Sequence, residues 1–137
     1  MKHILIVDDQ VVIRWVVRVA LGEHFVVDEA DNVGAAWGRI KRQRPDGMVL
    51  DVRMPGPTDG FQLCERIKRD PDLASINVVL VTACDDDDAQ ERGRLAGANG
   101  YFVKPVSPLA LANHFRAALQ NADRNLTEQT PATRKVS

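Results

Sequence analysis

The sequence predicts an α/β domain built on a doubly wound sheet of five parallel strands. Five short apolar runs alternate with five longer segments of helical length, which is the pattern of parallel strands joined by crossover helices. Polar residues follow directly after four of those five runs. In such sheets ligands bind beyond the carboxyl ends of the strands, so these polar residues form the candidate site.

The predicted strands are short and consist largely of aliphatic and β-branched residues. The third predicted strand places Asp51 at the edge of the sheet. Its buried run ends at Asp51, and the Pro- and Gly-rich stretch 55–60 then interrupts the regular structure. A short apolar run that ends at such a break is typical of a strand buried on both faces. The strands are expected at residues 3–7, 25–27, 48–51, 76–81 and 101–103.

The helices are expected between these strands. Gly22 ends the first helix, and a capping signal at residues 30–32 precedes the second. An acidic run opens the fourth helix, which Gly97 terminates, and Ser107 caps the last helix with Pro108 in its first position. The helices are expected at residues 10–21, 33–42, 61–69, from 85 to the stop at Gly97, and from 107 to about 122.

Length and composition exclude several classes of protein. The chain has 137 residues and a formal net charge of −1, so it fits one domain without a basic surface for nucleic acid. Cys64 and Cys84 lack the spacing of a metal or redox site, and no run resembles a signal peptide or reaches the length of a membrane span. We therefore expect a soluble, cytoplasmic domain over residues 1–122 and a flexible polar tail over residues 123–137.

Carboxylates gather at the predicted edge of the sheet. Asp8 and Asp9 follow the first strand and Asp51 ends the third, and three such groups repel each other by about 1 kcal/mol or more per pair. Oxygen ligands of this kind suit Mg²⁺ (or Mn²⁺), which would offset the repulsion. Lys104 adds a positive charge, and Thr82 offers a hydroxyl donor. A carboxylate in this setting is a competent nucleophile toward phosphorus.

Together these residues resemble the receiver domain of response regulators in two-component signalling, in its chemotaxis-type single-domain form. The resemblance covers about residues 2–120 and rests on Asp8-Asp9, Asp51, Met54-Pro55, Asp59-Gly60, Thr82-Ala83, and Lys104-Pro105 three residues after Tyr101. It implies the flavodoxin-like (βα)5 fold with strand order 2-1-3-4-5.

The resemblance also implies roles for individual residues. Asp51 would accept a phosphoryl group from a sensor histidine kinase or a phosphotransfer protein. Asp9, Asp51 and the backbone carbonyl of Arg53 would bind Mg²⁺ directly, and Asp8 would bind it through water. Lys104 would contact the phosphoryl group. The domain would assist its own phosphorylation and dephosphorylation without being an enzyme in the ordinary sense.

A conformational switch is implied as well. Thr82 would move to hold the phosphoryl group, the ring of Tyr101 would turn inward, and the face formed by helix four, strand five and helix five would change. The peptide bond before Pro105 would be cis. This face would regulate binding to a downstream protein, whose identity the sequence does not indicate, and a homodimer is a further expectation.

The sequence is also compatible with other functions. A flavodoxin-like electron carrier would bind FMN phosphate after the first strand, where Asp8 and Asp9 would repel it. A haloacid-dehalogenase-type phosphatase would need an Asp at the position of Arg53. The chain could also be a receiver-like interaction domain that works without phosphorylation, or the receiver fragment of a larger response regulator. Fifteen residues follow residue 122, which is too few for a DNA-binding domain in this chain.

Three features depart from the usual pattern. The loop at residues 55–60 is one residue longer than is usual in the family, and Arg53 lies where it could change the lifetime of the phosphorylated state. The first helix is apolar over more of its surface than a sheet covers. Val12, Trp15 and Val19 make up this excess, which predicts a docking surface for a kinase or phosphotransfer helix, or a dimer contact.

Overall fold

A computed structural model describes residues 1–83 and 87–120 and confirms the predicted fold class. One sheet holds five parallel strands in the order β2-β1-β3-β4-β5. The strands are β1 (His3–Val7), β2 (Val26–Ala30), β3 (Gly47–Asp51), β4 (Asn77–Thr82) and β5 (Gly100–Val103). The helices are α1 (Val11–Leu21), α2 (Val33–Arg42), α3 (Gly60–Arg69), α4 (Asp87–Leu95) and α5 (Pro108–Phe115), and a π-helical turn follows at Arg116–Gln120.

The strands are apolar throughout because the sheet is covered on both faces. Side chains alternate between the faces, so Ile4 and Ile6 belong to one hydrophobic cluster while Leu5 and Val7 belong to the other. The first cluster contains Phe115 of α5, and the second is filled from α2, α3 and α4. Burial on both sides explains why the strands appear in the sequence as unbroken apolar runs.

The parallel register brings the strand ends to one edge. Val7 at the end of β1 pairs with Leu50 of β3, and Asp51 pairs with Val81 of β4. Thr82, the last residue of β4, pairs with Val103 of β5. Residues that directly follow these strands therefore meet at the same edge of the sheet.

Several helix ends follow the predicted signals. The Asn32 side chain accepts a hydrogen bond from the Ala35 amide at 2.7 Å, and the Ser107 hydroxyl accepts one from the Ala110 amide at 3.1 Å. These bonds satisfy amide groups that a helix start leaves without partners. Gly97 lies just beyond α4 with φ of +86°, a backbone conformation that favours glycine.

Several boundaries differ from the prediction by one residue, and two differ by three or more. The second strand covers Val26–Ala30 and not residues 25–27, because it is an edge strand in which Asp28 and Glu29 can stay partly in water. The last helix was expected to continue to about residue 122, but α5 ends at Phe115 and the π-helical turn takes over. The predicted tail at residues 123–137 lies outside the described residues, as does Cys84.

None of the helices within residues 1–83 and 87–120 is long and apolar enough to span a membrane.

Candidate functional site

Three carboxylates cluster where β1 and β3 end. Asp8 and Asp51 are buried, with 3% and 4% of their surface exposed, whereas Asp9 is exposed. Each offers an oxygen, and these oxygens all lie within 4.8 Å of one another. The cluster forms because β1 and β3 are neighbours in the parallel sheet, so their carboxyl ends lie side by side.

Lys104 brings a positive charge to this cluster from the end of β5. Its ammonium nitrogen lies 3.2 Å from Asp51 Oδ2 and 3.5 Å from Asp8 Oδ2. The Lys104 amide donates a 2.7 Å hydrogen bond to the carbonyl of Thr82, which joins the ends of β5 and β4. The Lys104–Pro105 peptide bond is cis.

Burial dominates the electrostatics of Asp8. The loss of water around this carboxyl raises its pKa above the ordinary value, and the hydrogen bond that its Oδ1 accepts from the Gln10 amide at 2.8 Å opposes that shift. The charge of Asp51 raises the pKa further, and that of Lys104 lowers it. One ammonium group therefore only partly neutralises the carboxylates, and a bound cation would stabilise their ionised forms.

The junction between β3 and α3 holds the Asp51 side chain in place. Asp51 Oδ1 accepts a 3.2 Å hydrogen bond from the Arg53 amide. The Gly60 amide donates a 2.8 Å bond to the Val52 carbonyl, which brings the start of α3 against the end of β3. A Cβ at Gly60 would lie 2.4 Å from the Asp51 carbonyl oxygen, so this close approach requires glycine.

A cleft of about 420 Å³ opens above Asp51. Thr82 is buried at the end of β4 and forms part of its wall, together with Ala83. Tyr101 lies on the neighbouring surface, half-buried on β5 and close to Gly93 of α4. The cleft is lined by Asp9, Gln10, Asp51, Val52, Arg53, Phe61, Thr82, Ala83, Asp88, Ala89, Arg92 and Lys104.

The donor set fits a hard divalent cation. Mg²⁺ and Mn²⁺ prefer oxygen ligands, and Mg²⁺ usually takes one or two protein carboxylates while keeping several waters. Asp8, Asp9 and Asp51 supply such oxygens around one point, and the exposure of Asp9 leaves that point open to solvent. The acidic cluster is therefore able to bind a metal ion.

Comparison with known proteins agrees with this geometry. The model of the response regulator receiver domain family matches residues 4–116. The chain belongs to this family. It is a phosphoacceptor regulatory module of two-component signalling and not a classical enzyme.

Individual relatives resemble this receiver domain over most of its length. It is 38% identical over 120 residues to the phosphate regulon transcriptional regulatory protein PhoB of Pseudomonas aeruginosa, covering 87% of this chain and 52% of PhoB. The signal receiver domain of a histidine kinase from Syntrophus aciditrophicus has 31% identity and a TM-score of 0.82, covering 90% of this chain and 94% of that one. The Vibrio cholerae chemotaxis protein CheY4 has 26% identity and a TM-score of 0.79, covering 87% and 99%.

This chain spans about half the length of two curated relatives that it matches. The alignments cover 52% of PhoB and 56% of the transcriptional regulatory protein AfsQ1 of Streptomyces coelicolor.

Sequence reasoning did not single out every residue of the cleft. Phe61 is the second residue of α3, and Asp88 and Arg92 lie on α4. The spacing of Asp88 and Arg92 could have indicated that they lie together, since residues four apart share one face of a helix. The orientation of that face toward the cleft depends on how α4 packs beside α3, which local patterns do not specify.

Arg53 is exposed and lines the cleft, and its effect on the lifetime of the phosphorylated state stays a prediction.

Proposed function

We propose that this receiver domain is a phosphorylation-activated signalling switch whose phosphoacceptor is Asp51. The observation that carries the proposal is the position of Asp51, which is buried beneath an open cleft, contacts the Lys104 ammonium group at 3.2 Å and lies within a cluster of carboxylates. The phosphoryl donor is a sensor histidine kinase or a phosphotransfer protein. The domain acts in the cytoplasm.

In the transfer step a carboxylate oxygen of Asp51 forms the new bond to phosphorus. The bond between phosphorus and the donor imidazole nitrogen breaks, and the nitrogen keeps the electron pair. Asp9, Asp51 and the Arg53 carbonyl, with Asp8 through water, would hold Mg²⁺ (or Mn²⁺), which would supply positive charge to offset the charge on the phosphoryl oxygens.

Lys104 and Thr82 bind the transferred group. The Lys104 ammonium group already lies beside an Asp51 carboxylate oxygen, so a phosphoryl group on that residue comes within its reach. Thr82 lines the same cleft and offers a hydroxyl donor, while Ala83 leaves space for the group. Both contacts strengthen as charge moves onto the phosphoryl oxygens, which favours transfer.

Phosphorylation changes the conformation of the surface formed by α4, β5 and α5. Thr82 ends β4 beside β5, and Tyr101 of β5 lies near α4, so a movement of Thr82 toward the phosphoryl group frees space that the Tyr101 ring can enter. The changed surface regulates binding to a downstream protein or to a second copy of the chain.

Intact mass measured after incubation with Mg²⁺ and acetyl phosphate tests the proposal. The wild type should gain one phosphoryl group, the gain should require Mg²⁺, and Asp51→Asn should show none. No gain by the wild type from acetyl phosphate or from a phosphorylated histidine phosphotransfer domain would favour an interaction domain that works without phosphorylation.

A further inference from the structure

Arg92 lies on α4 at the rim of the cleft and contacts the start of α3. Its Nη2 atom lies 3.4 Å from Asp59 Oδ2, and its guanidinium carbon lies 4.2 Å from the centre of the Phe61 ring. The Arg92 side chain is half exposed, and it lines the same cleft as Asp51 and Lys104. Arg92 thus adds a cation on the α4 side of the cleft, which Lys104 and Arg53 also line.

The contact between Arg92 and Asp59 is a weak one. It is a single long contact at the surface, where ion pairs contribute little. On the same helix, Arg94 contacts Glu91 through two hydrogen bonds of 3.0 and 2.6 Å. The guanidinium group of Arg92 is therefore bound to its carboxylate by fewer and longer hydrogen bonds than that of Arg94.

Asp59 does not depend on Arg92 for its own place. Its Oδ1 atom accepts a 2.9 Å hydrogen bond from the Gln62 amide, and the Asp59 amide donates a 2.8 Å bond to the Gln62 side chain. This capping box fixes the start of α3 with one carboxylate oxygen and leaves the other to Arg92. The guanidinium group can leave Asp59 without disturbing the cap.

Phosphorylation would bring a stronger partner into the cleft. A phosphoryl group carries up to two negative charges on a set of oxygens that a guanidinium fork can bind through two hydrogen bonds. The face of the Phe61 ring supports Arg92 beside the cleft whichever anion it binds. The single positive charge of Lys104 already faces both Asp51 and Asp8, so it cannot by itself neutralise the added negative charge of a phosphoryl group.

We propose that Arg92 is a phosphoryl-binding residue that exchanges Asp59 for the phosphoryl group when Asp51 is phosphorylated. The inference rests on the proposed function. It adds to the cleft a contact that comes from α4 itself, so that occupancy of the site breaks the ion pair with Asp59 while Arg92 stays on the face of the Phe61 ring.

Binding of beryllium trifluoride in the presence of Mg²⁺, measured by calorimetry, tests the exchange, because this probe mimics a phosphoryl group on Asp51. Arg92→Ala should raise the Kd about 3- to 10-fold, and Arg92→Lys should recover part of the loss. Asp59→Asn keeps a good helix cap but removes the competing charge, so it should lower the Kd about 2- to 5-fold. In the Arg92→Ala background, Asp59→Asn should change nothing.

Opposite shifts for the two single variants distinguish exchange from a merely structural link. If Arg92 only clamps α4 to α3, both variants lose the same clamp and shift the Kd in the same direction, which would overturn the inference. Arg94→Ala, on the same helix, is the matched control and should bind as the wild type does. A Kd for Arg92→Ala equal to that of the wild type would reject phosphoryl binding by Arg92 and leave the proposed function intact. Absence of binding by the wild type would reject the proposed function and this inference with it.

Discussion

The Lys104 ammonium group is the local counter-charge of the carboxylates Asp8 and Asp51. Both acids are almost fully buried, and Lys104 lies within 3.5 Å of each. Buried charges are costly unless they are paired. Lys104 therefore has a structural role in addition to its proposed contact with the phosphoryl group.

We predict that Lys104→Ala lowers the free energy of unfolding by about 1–2 kcal/mol at pH 7 without divalent metal, because two carboxylates lose their partner. Urea denaturation measures the change. Adding Mg²⁺ should raise the free energy of unfolding more in the variant than in the wild type. Lys41→Ala, which changes an exposed lysine of α2, should unfold at the wild-type midpoint, and an equal midpoint for Lys104→Ala would contradict this reading of the site.

At the scale of secondary-structure elements, α1 shows the largest departure from a helix that only covers a sheet. Val12, Trp15 and Val19 were expected to lie outside the covered arc, and they are 65%, 63% and 58% exposed. On the inner side Val17 and Leu21 are buried. The exposure of this face is confirmed, and its role as a docking surface stays a prediction.

The same substitution should destabilise the domain much more at Trp37 than at Trp15. Trp15→Glu should change the free energy of unfolding by less than about 0.5 kcal/mol, since the ring already lies in water. Trp37 of α2 packs against the core and beneath Arg66, so Trp37→Glu should cost about 2–4 kcal/mol. Urea denaturation of both variants gives the comparison, and a large loss for Trp15→Glu would show that α1 packs differently.

The elements also show where local sequence patterns stop being informative. The caps at Asn32 and Ser107 involve side chains that bond to amides three residues away, so they could be predicted. The change from α5 to a π-helical turn at Arg116 involves no such residue signal, because the stretch 116–120 has ordinary helix formers. The polar residues Asp28 and Glu29 likewise hid the second half of β2, which tolerates them because the strand lies at the edge of the sheet.

At the scale of the whole molecule, parallel topology explains how a site built from distant segments could be predicted. Residues that follow β1, β3, β4 and β5 meet because all those strands run the same way. The meeting of Asp8, Asp51 and Lys104 therefore depends on the fold class alone. The contacts of Arg92 with Asp59 and Phe61 depend on the packing of α4 beside α3, and no pattern within either helix determines that.

Metal binding should stabilise the entire domain. At a Mg²⁺ concentration ten times the Kd, binding adds about 1.4 kcal/mol, which corresponds to a rise in Tm of roughly 5 °C for a domain of this size. Asp9→Asn should abolish most of this rise and, without metal, should itself raise the Tm slightly because one of the clustered charges is gone. Thermal denaturation with and without Mg²⁺ measures both effects, and an undiminished rise in the variant would remove Asp9 from the metal site.

The proposed function requires that the phosphoryl group reside on Asp51. Treatment of the phosphorylated domain with borohydride reduces an acyl phosphate to an alcohol, so peptide mass spectrometry can locate the modified carboxyl group. We predict homoserine at position 51 and unmodified aspartates at positions 8 and 9. Homoserine at either of those positions, or a phosphoryl group retained on a histidine with position 51 unchanged, would show that Asp51 is not the phosphoacceptor.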